Sequence, residues 1–186
     1  MGDATNFFPD NLIYGPEHIQ RMIEKHTSPN GVFGTKAHFL QVTNFVGLDQ
    51  LESLYPTPLK YISLTRRDVE RQGVSLAKTA QTDSYNSDMP PTREPVYNFY
   101  QISQCIREVR VQAKGWETYF HNRGIKPFRV IYEDLVDHRE EVLRGVLKFL
   151  GITIPQDFRV PETHLKKQAD ALSDLWLEKF RRGDQT

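Results

Sequence analysis

Two short runs of strand formers, Leu59–Thr65 and Phe128–Tyr132, constrain this chain more than anything else in it. Each ends directly on charged residues: Arg66-Arg67-Asp68 after the first, Glu133-Asp134 after the second. That is the pattern of a buried parallel strand feeding a helix. Between the runs lies the longest periodic segment of the sequence. Val96, Phe99, Ile102, Ile106, Val109, Ala113, Trp116 and Phe120 step by three or four residues, which gives one wide apolar helical face. Strands separated by helices predict an α/β layer fold built on a short parallel sheet.

The other segments fit that plan. Pro16 opens a helix, because proline is tolerated at the first helical position. Ser28-Pro29-Asn30-Gly31 reads as a turn, and Val32–Thr35 as a further short buried strand. Phe39–Leu54 has helical spacing and is ended by Pro56 and Pro58. A helix is expected over Arg67–Gln81, then a polar surface loop over Asp83–Pro95 that carries three prolines. Gly124 stops the long helix. Asp137 and Glu140 signal the start of the next one, and Gly151 closes it. Pro155–Lys167 reads as irregular and basic, and Asp170–Arg182 as a last amphipathic helix.

Composition excludes several function classes. The chain has 186 residues, which fits one domain over 1–186. Its 24 Lys plus Arg balance 24 Asp plus Glu, and that argues against a generic nucleic-acid binder, whose affinity comes from accumulated cations. A lone Cys105 rules out an internal disulfide framework and a Cys-rich zinc site. The six histidines show no zinc-binding spacing, so no metal is expected. No run of apolar residues is long enough for a membrane span, and the first residues lack the basic and apolar regions of a secretory signal. A cytoplasmic location is therefore expected.

Four segments have the residue types for chemistry. Arg66, at a strand exit, and Ser75, two helical turns later, suit an anion at a helix start, where free N–H groups and a partial positive charge gather. The same spacing also describes an ordinary solvated helix start. Lys36 and His38 follow a short apolar run. A lysine can stabilise charge on a transferring group, and a histidine is the usual general base near neutral pH. Lys36 precedes Ala37 where a Walker A loop needs Ser or Thr for magnesium, so this is no such loop. Glu133 and Asp134 read as helix caps and partners of local arginines. Lys166-Lys167-Gln168 places two cations before the last helix, which makes sense beside an anion.

In order along the chain, these pieces resemble the sulfotransferases that use 3'-phosphoadenosine 5'-phosphosulfate, in their bacterial trehalose 2-sulfotransferase-like branch. The resemblance rests on Asn6-Phe7-Phe8, Asn30–Phe39, Tyr61–Thr82, Lys114-Gly115-Trp116, Val130–Leu135, Val142–Gly151 and Gln168–Trp176. It implies a P-loop-like sulfotransferase fold and sulfuryl transfer to a hydroxyl of a carbohydrate or glycolipid acceptor. Arg66 and Ser75 would then grip the 3'-phosphate of the donor, with Lys167 and Gln168 as further cofactor contacts. His38 would be the base and Lys36 the contact to the sulfuryl group. The family also implies a homodimer, and in it the YEDL segment is structural. Asp83–Pro95 and the opening residues would set acceptor choice, with Tyr85 and Tyr97 available to stack on a sugar.

Two departures from the family stand out. The strand, Ser/Gly-rich loop and helix that cradle the 5'-phosphosulfate have no counterpart here, so the fold is expected to lack its first strand-loop-helix. Asn6 stands where the trehalose-type branch has a glutamate, and it cannot accept a proton at neutral pH. The alternative reading is a non-catalytic relative that keeps a nucleotide site or serves as an interaction module. An unrelated α/β nucleotide-binding protein is the third.

Overall fold

The computed structural model describes residues 16–84, 89–155, 157–160 and 170–185. They divide into two compact units, Met1–Tyr61 with Lys114–Ile125, and Ile62–Ala113 with Lys126–Thr186.

The first unit is helical. Helix α1 (Pro16–His26) starts at the proline, as expected, and buries Ile19. The strand expected at Val32–Thr35 is absent. The Ser28 N–H instead donates to the Val32 carbonyl at 2.9 Å, which folds the chain into a turn, and the Phe33 ring settles 6.3 Å from Tyr55. The helix expected over Phe39–Leu54 is broken in two. Helix α2 covers Phe39–Phe45, and a single 3-10 turn follows at Glu52–Leu54. Gly47 causes the break. At φ 82° it turns the chain out of the helix, and its N–H donates back to the Val42 carbonyl at 2.8 Å. The core of this unit is Val42, Leu51, Tyr119 and Phe120, packed with Leu59, Tyr61, Trp116 and Ile125.

The second unit holds the sheet. Strand β1 (Ile62–Thr65) pairs in parallel with β2 (Phe128–Ile131), in the register Ile62↔Phe128 to Thr65↔Ile131. Both are shorter than the runs read from the sequence, and β1 is not buried. Ile62 is 43% exposed and Leu64 56%, whereas Val130 on β2 is buried. In this register Ile62, Leu64, Phe128 and Val130 share a face. Helix α6 (Arg139–Leu150) covers the β2 half of it, with the Phe128 ring against Gly145 and 5.5 Å from Phe149.

Helix α3 (Val69–Thr82) begins at Asp68, whose carboxylate accepts from the Arg71 N–H at 2.9 Å. Helix α4 (Phe99–Asn122) starts three residues later than its periodicity suggested. Asn98 caps it by accepting from the Gln101 N–H at 2.9 Å. Val96, expected on the apolar face, is 72% exposed ahead of that cap. After β2 comes a helix that the sequence reading missed, α5 (Tyr132–Asp137). Helix α6 (Arg139–Leu150) follows and ends at Gly151, as expected. The last helix, α7 (Ala171–Arg182), is capped by Asp170, which accepts from the Ser173 N–H.

Val74 and Ala77 of α3, Ile102 and Ile106 of α4, and Trp176 and Leu177 of α7 form the core of this unit. Ion pairs flank the α3–α7 contact: Arg71 with Asp174 at 2.6 Å, Lys78 with Asp170 at 2.6 Å and Arg181 with Glu70 at 2.7 Å. No helix among the described residues is long and apolar enough to cross a membrane.

Candidate functional site

Of the residues singled out in the sequence, Lys36 and His38 lie in the first unit, and Arg66 and Ser75 in the second. Lys167 and Gln168 lie outside the described residues, as do Lys166, Asn6 and Tyr85.

His38 occupies the position before α2 in extended backbone, at φ −85° and ψ 152°. Its N–H donates to the Gln41 Oε1 at 2.9 Å, which ties the residue to the first turn. The next residue, Phe39, anchors it. The Phe39 ring lies edge-on to Trp116 with centroids 5.6 Å apart, over the backbone of Gly115. A Cβ at position 115 would stand 2.4 Å from the Phe39 Cε1, so only glycine admits the ring there. The Lys-Gly-Trp segment of α4 thereby fixes the chain at His38. Partial desolvation, and then the nearby Lys36 ammonium, hold the His38 imidazole below its usual pKa. Both causes disfavour imidazolium, so the ring is neutral at pH 7, the form that can accept a proton. The Lys36 side chain is exposed.

In the second unit the parallel register brings two strand exits side by side. Thr65 pairs with Ile131, so the next step on each strand sets Arg66 beside Tyr132. The Arg66 guanidinium stacks on the Tyr132 ring, 3.9 Å from its centroid. Arg67 goes a different way. Its N–H donates to the Glu133 Oε2 at 3.0 Å, and its guanidinium pairs with the Asp134 carboxylate. The Glu133 carboxyl sits below the usual carboxylate range. Desolvation pushes it up, but hydrogen bonds from the backbone N–H groups of Arg67, Glu133 and Asp68, and the charge of Arg67, outweigh that.

The two arginines are therefore not equivalent. Arg67 is matched by carboxylates, and Arg66 has no carboxylate partner among the described residues. Ser75 is half-buried on the second turn of α3, and its hydroxyl has no partner among the described residues. The carboxylates of Glu133 and Asp134 face arginine, as read from the sequence. Tyr132 was the residue missed. Its signal was its position, the first residue after a strand paired in parallel with the one that ends at Arg66.

The sequence matches the family model of the Stf0 sulphotransferases over residues 16–183, nearly its whole length. The chain belongs to the Stf0 sulphotransferase family. Among curated relatives it is similar to the trehalose 2-sulfotransferase of Mycolicibacterium smegmatis, with 30% identity over 174 residues, 85% of this chain and 64% of that protein. It is also similar to the trehalose 2-sulfotransferase of Mycobacterium tuberculosis, with 31% identity over 124 residues, 65% of this chain and 45% of that protein. The chain thus spans less than two thirds of the length of these relatives. A short parallel sheet flanked by helices is consistent with the Stf0 sulphotransferase fold.

Proposed function

We propose that this Stf0 sulphotransferase chain moves a sulfuryl group from 3'-phosphoadenosine 5'-phosphosulfate to a hydroxyl of a carbohydrate or glycolipid. The observation that carries the reading is the family match over residues 16–183. The relatives, both trehalose 2-sulfotransferases, make trehalose the first acceptor to try.

Arg66 and Ser75 bind the 3'-phosphate in this reading. Arg66 offers a planar fork of donors unclaimed by a carboxylate among the described residues, and Ser75 offers one directed hydroxyl. The 3'-phosphate distinguishes the donor from ordinary adenylates, which leave such a cation without a partner. Lys167 and Gln168 are assigned to the same nucleotide.

His38 takes the proton from the acceptor hydroxyl. The hydroxyl oxygen forms a new bond to sulfur as the bond from sulfur to the 5'-phosphate oxygen breaks, and adenosine 3',5'-bisphosphate leaves with the electron pair. The Lys36 ammonium offsets the negative charge on the transferring group. The donor supplies the activated sulfuryl group, and the chain supplies base, cation and position. The reading is completed by a single domain of P-loop-like sulfotransferase fold and by a cytoplasmic homodimer; Tyr97, expected from the sequence to stack on a sugar, instead sets its ring edge-on to Trp176 and donates its hydroxyl to the Asp184 carbonyl at 2.8 Å.

The direct test is to incubate the chain with the phosphosulfate donor and trehalose, then look for a sulfated sugar by mass spectrometry. A sulfated product that forms only with the donor supports the reading. Nucleotide binding with no product on trehalose or on a panel of other carbohydrates and glycolipids contradicts it in favour of a non-catalytic relative.

A further inference from the structure

Three consecutive residues at the exit of β2 touch consecutive residues at the exit of β1. The Tyr132 ring supports the Arg66 guanidinium at 3.9 Å, and the Glu133 carboxylate accepts the Arg67 N–H at 3.0 Å. Asp134 pairs with the Arg67 side chain. Only Tyr132 leaves the cation it holds uncancelled, because a ring face carries partial negative charge but no formal charge. A carboxylate at position 132 would hold Arg66 as firmly and neutralise it. Stacking restricts a long, flexible side chain and keeps its five N–H donors free at the edge of the plane. Glu133 and Asp134 perform the complementary task. They tie down the neighbouring backbone and the second guanidinium, so the turn after β1 cannot swing Arg66 away.

We infer that Tyr132 and Glu133 are positioning residues for anion recognition: they hold the β1 exit so that Arg66 meets the 3'-phosphate with its donor fork preset. This rests on the proposed function, since it assigns a role within that same site. It also gives the YED segment more than helix capping. Preorganisation of this kind yields affinity by reducing what must be ordered on binding.

The prediction is a selective loss. Tyr132→Leu, Tyr132→Phe and Glu133→Ala are compared with the wild-type chain by calorimetric titration. The ligands are adenosine 3',5'-bisphosphate and adenosine 5'-monophosphate, which lacks the 3'-phosphate. Tyr132→Leu should weaken the bisphosphate by about tenfold, the scale of one cation–π contact, and leave the monophosphate unchanged. Tyr132→Phe keeps the ring and should bind as the wild type does. Glu133→Ala leaves the ring in place and should show the same selective loss, so the test survives if one variant fails to fold.

A Tyr132→Leu or Glu133→Ala chain that folds and binds the bisphosphate at wild-type affinity overturns the inference. So does an equal loss for both nucleotides, which is what a merely structural role would give. The proposed function is judged separately, on the wild-type chain. If the wild type does not prefer the bisphosphate over the monophosphate, the nucleotide reading falls and the inference falls with it.

Discussion

The guanidinium of Arg66 rests on the ring of Tyr132, 3.9 Å from its centroid, although one residue follows β1 and the other opens α5 after β2. The pairing Thr65↔Ile131 brings the two residues side by side, since it sets the exits of β1 and β2 level with each other. The neighbouring Arg67 is claimed by Glu133 and Asp134. One turn thus carries a neutralised cation beside one that keeps its charge available.

His38 should titrate low. Desolvation and the Lys36 charge both favour the neutral ring, so its midpoint, followed by NMR, should fall below about 6.5, the ordinary histidine value. Lys36→Met removes only the second cause and should raise the midpoint part of the way. In a chain that transfers sulfuryl groups, the rate should rise with pH through this lowered midpoint, because the base works deprotonated. A midpoint at or above the ordinary value would contradict the assignment.

Gly115→Ala should destabilise the first unit. Alanine normally gains about 1 kcal/mol over glycine inside a helix. Here its Cβ would stand 2.4 to 2.6 Å from three atoms of the Phe39 ring. The ring is held by Trp116, so the overpacking cost of about 1–3 kcal/mol should win. Urea unfolding reads the sign, and a stabilised variant would show that the ring moves aside freely.

Asp170 links stability to acid. Desolvation raises its carboxyl pKa, but the bonds from Lys78 and Ser173 and the Lys78 charge more than compensate, so the folded value lies below the ordinary one. The sign follows from proton counting. The unfolded state binds the proton first, so the contribution is full above the unfolded value of about 3.9 and is lost as pH falls through the lower folded value. Asp170→Asn should therefore flatten the loss of stability with acid below about pH 4, measured by chemical unfolding across that window. An unchanged slope would mean that the contact carries no charge-dependent stability.

Trp176 and Val96 should differ sharply. Trp176 is 3% exposed in the core of α3, α4 and α7, so Trp176→Ala should cost about 3–5 kcal/mol. Val96 is 72% exposed, so Val96→Ser should stay within about 0.5 kcal/mol. Comparable losses at both positions in thermal unfolding would put Val96 back on the apolar face that its spacing suggested.

The long-range order of elements was legible because it is written in periodicity. The spacing from Phe99 to Phe120 marks α4, and charged residues mark the ends of both strands. What escaped depends on single residues or on neighbours. Gly47 ends α2 through one positive φ, which an apolar pattern running past it conceals. Ile62 and Leu64 read as buried because apolar strands usually are, but burial depends on what packs across the strand, and α6 reaches only the β2 half. The place of Arg66 between a strand and the start of α3 was legible from element order, whereas His38 read as following a strand at Val32–Thr35 that is absent, and it lies instead directly before α2. The support under each was not legible. Phe39 on Gly115 and Arg66 on Tyr132 join residues far apart in sequence, and only the helix packing and the strand register bring them together.

The central claim, that the exit of β1 reads a nucleotide 3'-phosphate through Arg66, is tested most directly by thermal unfolding with and without saturating adenosine 3',5'-bisphosphate, for the wild type and for Arg66→Ala. Ligand at about a hundred times its Kd adds about 2.7 kcal/mol to the folded state. In a chain of this size that should raise the wild-type Tm by roughly 5 to 10 °C. Arg66→Ala should unfold near the same temperature without ligand and lose most of the shift. A shift of equal size in the variant would remove Arg66 from the site, and no shift in the wild type would contradict the nucleotide reading itself.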